Sequence, residues 1–334
     1  VFFKGKKILV IGGTGTIGQN IVRHLLKEEP EVIRIFSRDE FKQFQFQNEM
    51  SDYSNLRFLI GDIRDYDRVF SAMEDIDYVF HTAAMKHVSF CEYNPFEAVQ
   101  INIIGTYNVI KAAQNQNVKK VVFTSTDKAI SPTNNYGATK LSAERLITSA
   151  EYWKGSKKTI FSSVRFGNVM GSRGSVIPLF VKQIRDGKNL TVTELSMTRF
   201  MMTLEQATKL TIEALKISKG GEIFILKMPV IRLCDLAEVV LEETVKQYQL
   251  HSSKTKILEI GLKPGEKRYE ELMTFDESLT ALELEELFII PSPYVSNIQY
   301  ENAKNAEHGT YSSQGQTPLD KEQVRAMLKS ENLI

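Results

Sequence analysis

A tyrosine and a lysine four residues apart, Tyr136 and Lys140 in the run YGATK, form the strongest chemical signal in the chain. On a helix that spacing sets phenol and ammonium on one face, a turn apart. A free phenol titrates near ~10, so it acts as a base at neutral pH only where neighbouring positive charge stabilises the phenolate. Lys140 can supply that charge. Taken alone, such a pair is ordinary helix surface. Ten residues upstream of the tyrosine, however, the run VVFTS ends in Thr124-Ser125-Thr126-Asp127-Lys128, and the C-terminal ends of strands are where open α/β sheets bind ligands. Tyr136 with Lys140 is enough to oxidise an alcohol to a ketone by hydride transfer. Asp127 and Lys128 permit more: a ketone acidifies the adjoining C–H, so a base can remove that proton while an acid releases the next hydroxyl as water. Thr126 is placed to hydrogen-bond the developing ketone oxygen. The plainer alternative is that Asp127 and Lys128 pair only with each other at a loop.

Positioning these groups requires a parallel sheet. Apolar runs alternate with amphipathic stretches through the first half: KKILVIG before a helix over 19–27, VIRIF before one over 39–50, LRFLIGD before a short helix, DYVFHTA before a long one, then KKVVFTS. Short β-branched runs bounded by Gly, Asp or Ser predict buried strands, and the alternation predicts crossover helices on both faces. A further strand is expected near 160–166, helices near 176–186, 205–218 and 233–245, a strand at EIFIL, loop over 292–316 and a final helix near 320–329. The fold class is α/β, a Rossmann-like doubly wound sheet with a smaller C-terminal substrate-binding domain. Residues 1–167 would form the cofactor domain and 168–334 mainly the substrate domain, with some segments of about 220–260 returning to the Rossmann core.

The segment ILVIGGTGTIG sets Gly12, Gly15 and Gly18 between the first strand and the first helix. There backbone must approach a pyrophosphate, and free amides of the helix start supply an anion site. A lone glycine fingerprint is weak, but strand, helix and downstream residues agree here. After the second strand come Ser37, Arg38, Asp39 and Lys42. An arginine accommodates the 2′-phosphate of NADP, whereas an acidic residue accepts the 2′-hydroxyl of NAD. Arg38 and Lys42, a helical turn apart, favour NADP, and Asp39 keeps NAD open. Asp62 in GDIRD is placed for the adenine amine, and Ala83-Ala84 let backbone pass close to the cofactor.

Bulk composition narrows the alternatives. The 42 Lys and Arg residues nearly cancel the 41 Asp and Glu, and a formal charge of +1 offers no global field for nucleic acid or an anionic membrane. The two cysteines, Cys91 and Cys234, have no paired spacing, which argues against a disulfide framework and fits a cytoplasmic setting. No apolar run approaches the ~18 to 20 residues that span a bilayer, and no signal-peptide pattern precedes the first strand. The first residue is Val1, so a trimmed N-terminal extension stays open. His81 and His87 have no partners at metal-ligand spacing, so structural roles and no metal are expected.

GGTGTIG, SRDEFKQ, HTAAMKHVSFCEYNP, STDKAISPTNNYGATK, FGNVMGSRGSVIP, MTRFMMT and KPGEKRYEEL together resemble the UDP-N-acetylglucosamine 4,6-dehydratases of the polysaccharide-biosynthesis branch of the extended short-chain dehydrogenases. The resemblance spans residue 5 to about 330. It implies that Thr126, Asp127, Lys128, Tyr136 and Lys140 are catalytic. The cofactor would meet Gly12, Thr14, Gly15, Thr16, Ile17, Gly18, Ser37, Arg38, Lys42, Asp62, Ile63, Ala83, Ala84, Lys86 and Asn102, besides Tyr136 and Lys140. Lys86, Asn168, Arg173, Val176, Arg199 and Glu266 would contact the nucleotide sugar, with Lys267 beside them. Tyr136, where some relatives have methionine, is similar to the pseudaminic-acid-pathway branch, which implies inversion rather than retention at C5. The implied reaction is C4 oxidation, loss of water across C5 and C6 and hydride return to C6, giving a UDP-4-keto-6-deoxy-N-acetylhexosamine. A UDP-N-acetylhexosamine 4-epimerase, or a non-catalytic NADP-binding protein, are the alternatives. A homo-oligomer, a dimer or larger, would pair through helices near 95–115 and 138–151.

Overall fold

The runs that alternate along the first half form six strands: β1 (Lys7–Ile11), β2 (Val32–Ser37), β3 (Leu56–Ile60), β4 (Tyr78–His81), β5 (Lys120–Thr124) and β6 (Ile160–Arg165). The structure is a computed structural model and describes residues 1–172, 174–250, 255–262, 264–295 and 298–334. In β1, Ile8 and Val10 enter one core while Leu9 and Ile11 enter another on the opposite face. Successive side chains of a strand point to opposite faces, so a sheet covered on both sides calls for an unbroken apolar run. The covering helices are α1 (Thr16–Leu26) and Leu204–Ile217 on one face. On the other lie α3 (Tyr66–Ala72), α6 (Gly105–Asn115) and α7 (Asn135–Trp153).

The strand order β3-β2-β1-β4-β5-β6, continued by Ile223–Leu226, is parallel throughout. The order reverses between β1 and β4, which is where such sheets open a crevice for ligand. Register aligns the C-terminal ends: Ile11 pairs with Phe36 and His81, His81 with Phe123, and Thr124 with Val164. Gly12, Ser37, Thr82 and Ser125 therefore leave the sheet along a single edge, so residues far apart in sequence share one rim.

Of the segment 220–260, Ile223–Leu226 joins the sheet. Helix Leu233–Gln247 instead shares a separate core with Val176–Arg185 and the C-terminal helix Lys321–Ser330. The sheet is completed by antiparallel Leu287–Ile290, Leu282–Glu283 and Lys304–Asn305. The run LFII gives little sign of a strand in the sequence, because it sits between an acidic stretch and a Pro-Ser-Pro turn. The long helix expected over 95–115 is interrupted. Pro95–Ala98 forms one turn, Val99–Ile104 is π-helical, and α6 begins at Gly105. A π-bulge carries an extra residue per turn and re-aims a side chain; here Asn102 lies buried within it. The remaining strands that matter to the site form a small sheet of Asn168–Val169, Thr198–Met202 and Val230–Arg232.

Candidate active site

The groove at the crevice has a volume of about 570 Å³ and is lined by Gly12, Thr14, Gly15, Thr16, Ile17 and Gly18 at its floor, and by Ser37, Arg38, Asp39 and Lys42 at one end. Ile63, Ala83, Ala84 and Lys86 line it too. Gly12 has φ +80° and a Cβ there would sit 2.7 Å from the Ala83 nitrogen, so only glycine permits the approach of the two strand ends. Helix α1 begins without a side-chain cap at Gly15, leaving the first-turn amides facing the groove. The buried Ser37 Oγ has no hydrogen-bond partner. Glycine floor, uncapped helix start and unmatched hydroxyl fit a dinucleotide.

At the ribose end the two cations are engaged differently. Lys42 Nζ pairs with Asp39 at 2.6 Å, and Asp39 also accepts from the Lys42 backbone N–H at 3.0 Å as the N-cap of helix α2 (Glu40–Glu49). Arg38 approaches Asp62 at 3.5 Å with its side chain 56% exposed, so it is the readier of the two to meet a phosphate. Asp62 itself accepts from Arg64 Nη2 at 2.8 Å and the Arg64 backbone at 2.9 Å. Burial would raise its pKa, but the Arg64 hydrogen bonds hold it below the usual carboxylate value. Asn102 is not in the groove wall: its amide donates to Met85 O and Thr139 Oγ1, both at 3.0 Å, and its oxygen accepts from Met85 N at 2.8 Å. It fastens the strand-end loop to α7, a structural task the sequence did not distinguish from cofactor contact.

The adjoining cavity, about 430 Å³, is lined by Thr126, Lys128, Tyr136 and Lys140, with Lys86, Asn168, Val176, Arg199 and Glu266 also on its wall. Tyr136 and Lys140 lie in the first turns of α7, which starts where Asn134 accepts from Gly137 N at 2.8 Å. Thr126 caps a 3₁₀ turn, Asp127–Ala129, against this helix. A Cβ on Gly137 would lie 2.0 Å from the Lys128 carbonyl oxygen, so glycine in YGATK allows the turn and helix to touch. Arg173 lies outside the described residues.

The charges differ from expectation in one respect. Lys140 Nζ donates to the Thr124 carbonyl and lies 3.9 Å from the centre of the Phe123 ring. Burial lowers its pKa to about 7. Tyr136 is pushed up to about 12 by burial, opposed by a hydrogen bond with Thr126 and by the charge of Lys128. The charge of Lys128 thus acts on the phenol beside whatever Lys140 supplies.

Asp127 and Lys128 do pair, at 3.1 Å, but not only with each other. Thr126 Oγ1 donates to Asp127 Oδ1 at 2.8 Å, and Lys128 Nζ donates to Glu270 at 2.8 Å. Glu270 also accepts from Asn168 at 3.0 Å and lies 3.5 Å from Arg199. Asp127 and Glu270 face a further cavity of about 740 Å³, to which Lys128, Asn168, Arg199, Glu266 and Lys267 also contribute. Asp127 thus stands at the border of the two cavities rather than within the one holding Tyr136. Burial and the Glu270 charge raise Asp127, against the pull of Lys128. Burial would also raise Glu270, but Lys128, Asp127 and Arg199 hold it low. Burial opposes the charge on Lys128, yet the two carboxylates raise its pKa.

Glu270 was missed in the sequence. It stands in RYEEL beside Glu271, and nothing in type or spacing separates the two. Fixed partners also hold two expected substrate residues: Arg199 donates to the Lys267 carbonyl at 2.7 Å, and Lys267 to the Ile130 carbonyl at 2.8 Å. Behind the site, Arg165 is fully buried between Glu144 of α7, at 2.5 Å, and Glu277, at 2.9 Å. It also donates to the Leu272 carbonyl at 2.9 Å, tying α7 to the strand that follows Glu270. His81 is buried, donates or accepts at Thr106 Oγ1 at 3.0 Å, and has its pKa lowered to about 3 by burial, which fits a structural role. Among the described residues no cluster has the makings of a metal site, and Cys91 and Cys234 are free thiols.

Sheet order and crevice define a Rossmann-like α/β sheet with a C-terminal subdomain. The chain belongs to the polysaccharide biosynthesis protein family, whose model matches residues 8–292. It is 48% identical over 328 residues to an uncharacterized membrane protein of Methanocaldococcus jannaschii, covering 98% of this chain and 96% of that one. No described helix is long and apolar enough to cross a membrane. It is 42% identical over 305 residues to a UDP-N-acetylglucosamine 4,6-dehydratase (inverting) of Campylobacter jejuni, covering 90% of this chain and 86% of that one. It is 38% identical over 341 residues to a UDP-glucose 4-epimerase of Rickettsia canadensis, covering 99% and 98%. Among solved structures, Pen from Bacillus thuringiensis is 65% identical, with a TM-score of 0.95 and all of both chains covered.

Proposed function

We propose that this chain is an NADP-dependent UDP-N-acetylglucosamine 4,6-dehydratase that inverts C5, with NAD as the other candidate cofactor. The observation that carries the reading is the meeting of Tyr136, Thr126 and Lys128 on one cavity wall beside a dinucleotide groove, with Asp127 3.1 Å from Lys128 at its border. An epimerase needs the phenol and the groove but has no use for an acid and a base beyond them. The 42% identity to an inverting dehydratase supports the same choice and the stereochemistry; the epimerase relative keeps C4 epimerisation as the second reading.

A bound nicotinamide supplies the hydride acceptor and donor, and in its oxidised form a positive charge beside the phenol. Tyr136 takes the C4 hydroxyl proton, and Thr126 hydrogen-bonds the C4 oxygen. Lys140 holds the nicotinamide ribose. With C4 a ketone, Lys128 removes the C5 proton and Asp127 protonates the departing C6 hydroxyl. Lys86, lining both clefts, reaches cofactor and sugar together. Asn168, Arg173, Val176, Arg199 and Glu266 bind the UDP-sugar. Residues through 167 serve the cofactor and those beyond it mainly the substrate, and the protein works as a homo-oligomer. Exposed Ile104, Tyr107, Tyr152 and Trp153 on the helices expected to pair support that assembly.

Proton NMR of the product formed from UDP-N-acetylglucosamine in heavy water tests the reading. A C6 methyl group and deuterium at an inverted C5 are expected, with C5 exchange abolished in Lys128→Ala. An intact C6 hydroxymethyl with inverted C4 would establish the epimerase instead.

A further inference from the structure

We infer that Glu270 is a positioning residue that sets the protonation of the Asp127–Lys128 pair, holding a proton on each until the reaction calls for it. The inference rests on the dehydratase reading and adds a third member to its acid–base machinery. Glu270 is 4% exposed and immobilised from three sides: Lys128 Nζ at 2.8 Å, Asn168 Nδ2 at 3.0 Å, and its own backbone N–H donating to Ser313 Oγ at 3.0 Å. One ammonium therefore bridges two buried carboxylates, at 2.8 and 3.1 Å. Two carboxylates sharing a site cannot both ionise freely, and one keeps its proton. The geometry decides which. Glu270 has Lys128, Asn168 and Arg199 to stabilise its charge, whereas the Asp127 side chain is fully buried and its Oδ2 meets no donor.

The sign of the effect is the same on both partners. A negative charge at Glu270 repels ionisation of Asp127 and favours the ammonium of Lys128, so it raises both. Tyr136 from α7, Arg199 from Thr198–Met202 and Lys267 from the loop before Glu270 face the pair, with Cys91 behind Tyr136, and His87, Glu92 and Glu266 line the cavity that Asp127 faces. Glu270 is the carboxylate that shares the Lys128 ammonium with Asp127, and its charge pushes Asp127 toward its acid form. When water is eliminated, the Asp127 O–H bond breaks as its proton passes to the C6 oxygen and the C6–O bond opens. The C5–H pair becomes the C5–C6 double bond, and the C5 proton passes to Lys128, which has first handed its ammonium proton to the Glu270 carboxylate 2.8 Å away.

The pH profile of kcat with UDP-N-acetylglucosamine, followed by water loss, tests this. In Glu270→Gln both limbs should move to lower pH by about one unit or more, the size expected for losing a like charge at this range; in Glu270→Asp, which keeps the charge, kcat should fall with the limbs in place. A residue of purely structural importance would lower kcat at every pH, so unmoved limbs in Glu270→Gln would overturn the inference. Should that variant not fold, infrared spectra of the wild-type holoenzyme near neutral pH decide the matter: a protonated-carboxyl band that disappears in Asp127→Asn is expected, and its absence would overturn the proposal. Failure of the wild type to eliminate water at all would sink the dehydratase reading instead, a different result from either of these.

Discussion

Arg38 and Lys42 show how partner geometry refines a choice that residue types leave open. Both are cations after the second strand, yet Lys42 is bound back to Asp39 at 2.6 Å while Arg38 meets Asp62 only at 3.5 Å. Asp39 is itself occupied as the cap of α2, which leaves it poorly placed to select the 2′-hydroxyl of NAD. Arg38→Ala should therefore raise the KM for NADP by roughly tenfold or more, the scale of one lost charge-assisted hydrogen bond, and leave that for NAD nearly unchanged. Steady-state kinetics, or calorimetric titration with each cofactor, checks this. Equal losses for both cofactors would assign Arg38 to general binding. At this scale the reactive types were legible, because Tyr136, Lys140, Asp127 and Lys128 lie close in sequence. Glu270 was not, because it reaches Lys128 from 142 positions away.

The element that decides the site is the contact between α7 and the short turn bearing Asp127 and Lys128. Gly137 permits it, since any Cβ would be 2.0 Å from a backbone oxygen that no rotamer change can move. Gly137→Ala should lower stability by roughly 1–3 kcal/mol through overpacking and kcat by about a hundredfold through misplacement of the phenol. Cofactor affinity should change far less, because the groove floor lies on α1. Thermal unfolding alongside cofactor titration separates the two effects. The YGATK pattern foretold a helix but not this demand. Its glycine looks like a mild helix breaker in sequence and shows its purpose only when the partner backbone is in view. The π-helical turn at Val99–Ile104 was hidden for a similar reason: its residues have ordinary helical character, and the register change answers to Asn102 reaching Met85 and Thr139.

For the molecule as a whole, the alternation of buried strand and amphipathic helix made the first half readable, since each covered strand demands an unbroken apolar run. Beyond Gly167 most strands are shorter, some pairing in small sheets of two or three strands, and no period in the sequence says which of them rejoin the large sheet. Leu287–Ile290 does so through pairing with Ile223–Leu226, a contact set by tertiary position alone. The same architecture gathers Gly12, Ser37, Thr82 and Ser125 onto one rim by strand register, and that rim is what allows a phenol, an ammonium and a carboxylate to work on one sugar. Mass spectrometry of UDP-N-acetylglucosamine after incubation with the enzyme and a catalytic amount of NADP tests this account most directly. A nucleotide sugar lighter by one water is expected, with no build-up of reduced cofactor; a product of unchanged mass, or turnover that stops once the NADP has all become NADPH, would contradict the dehydratase reading.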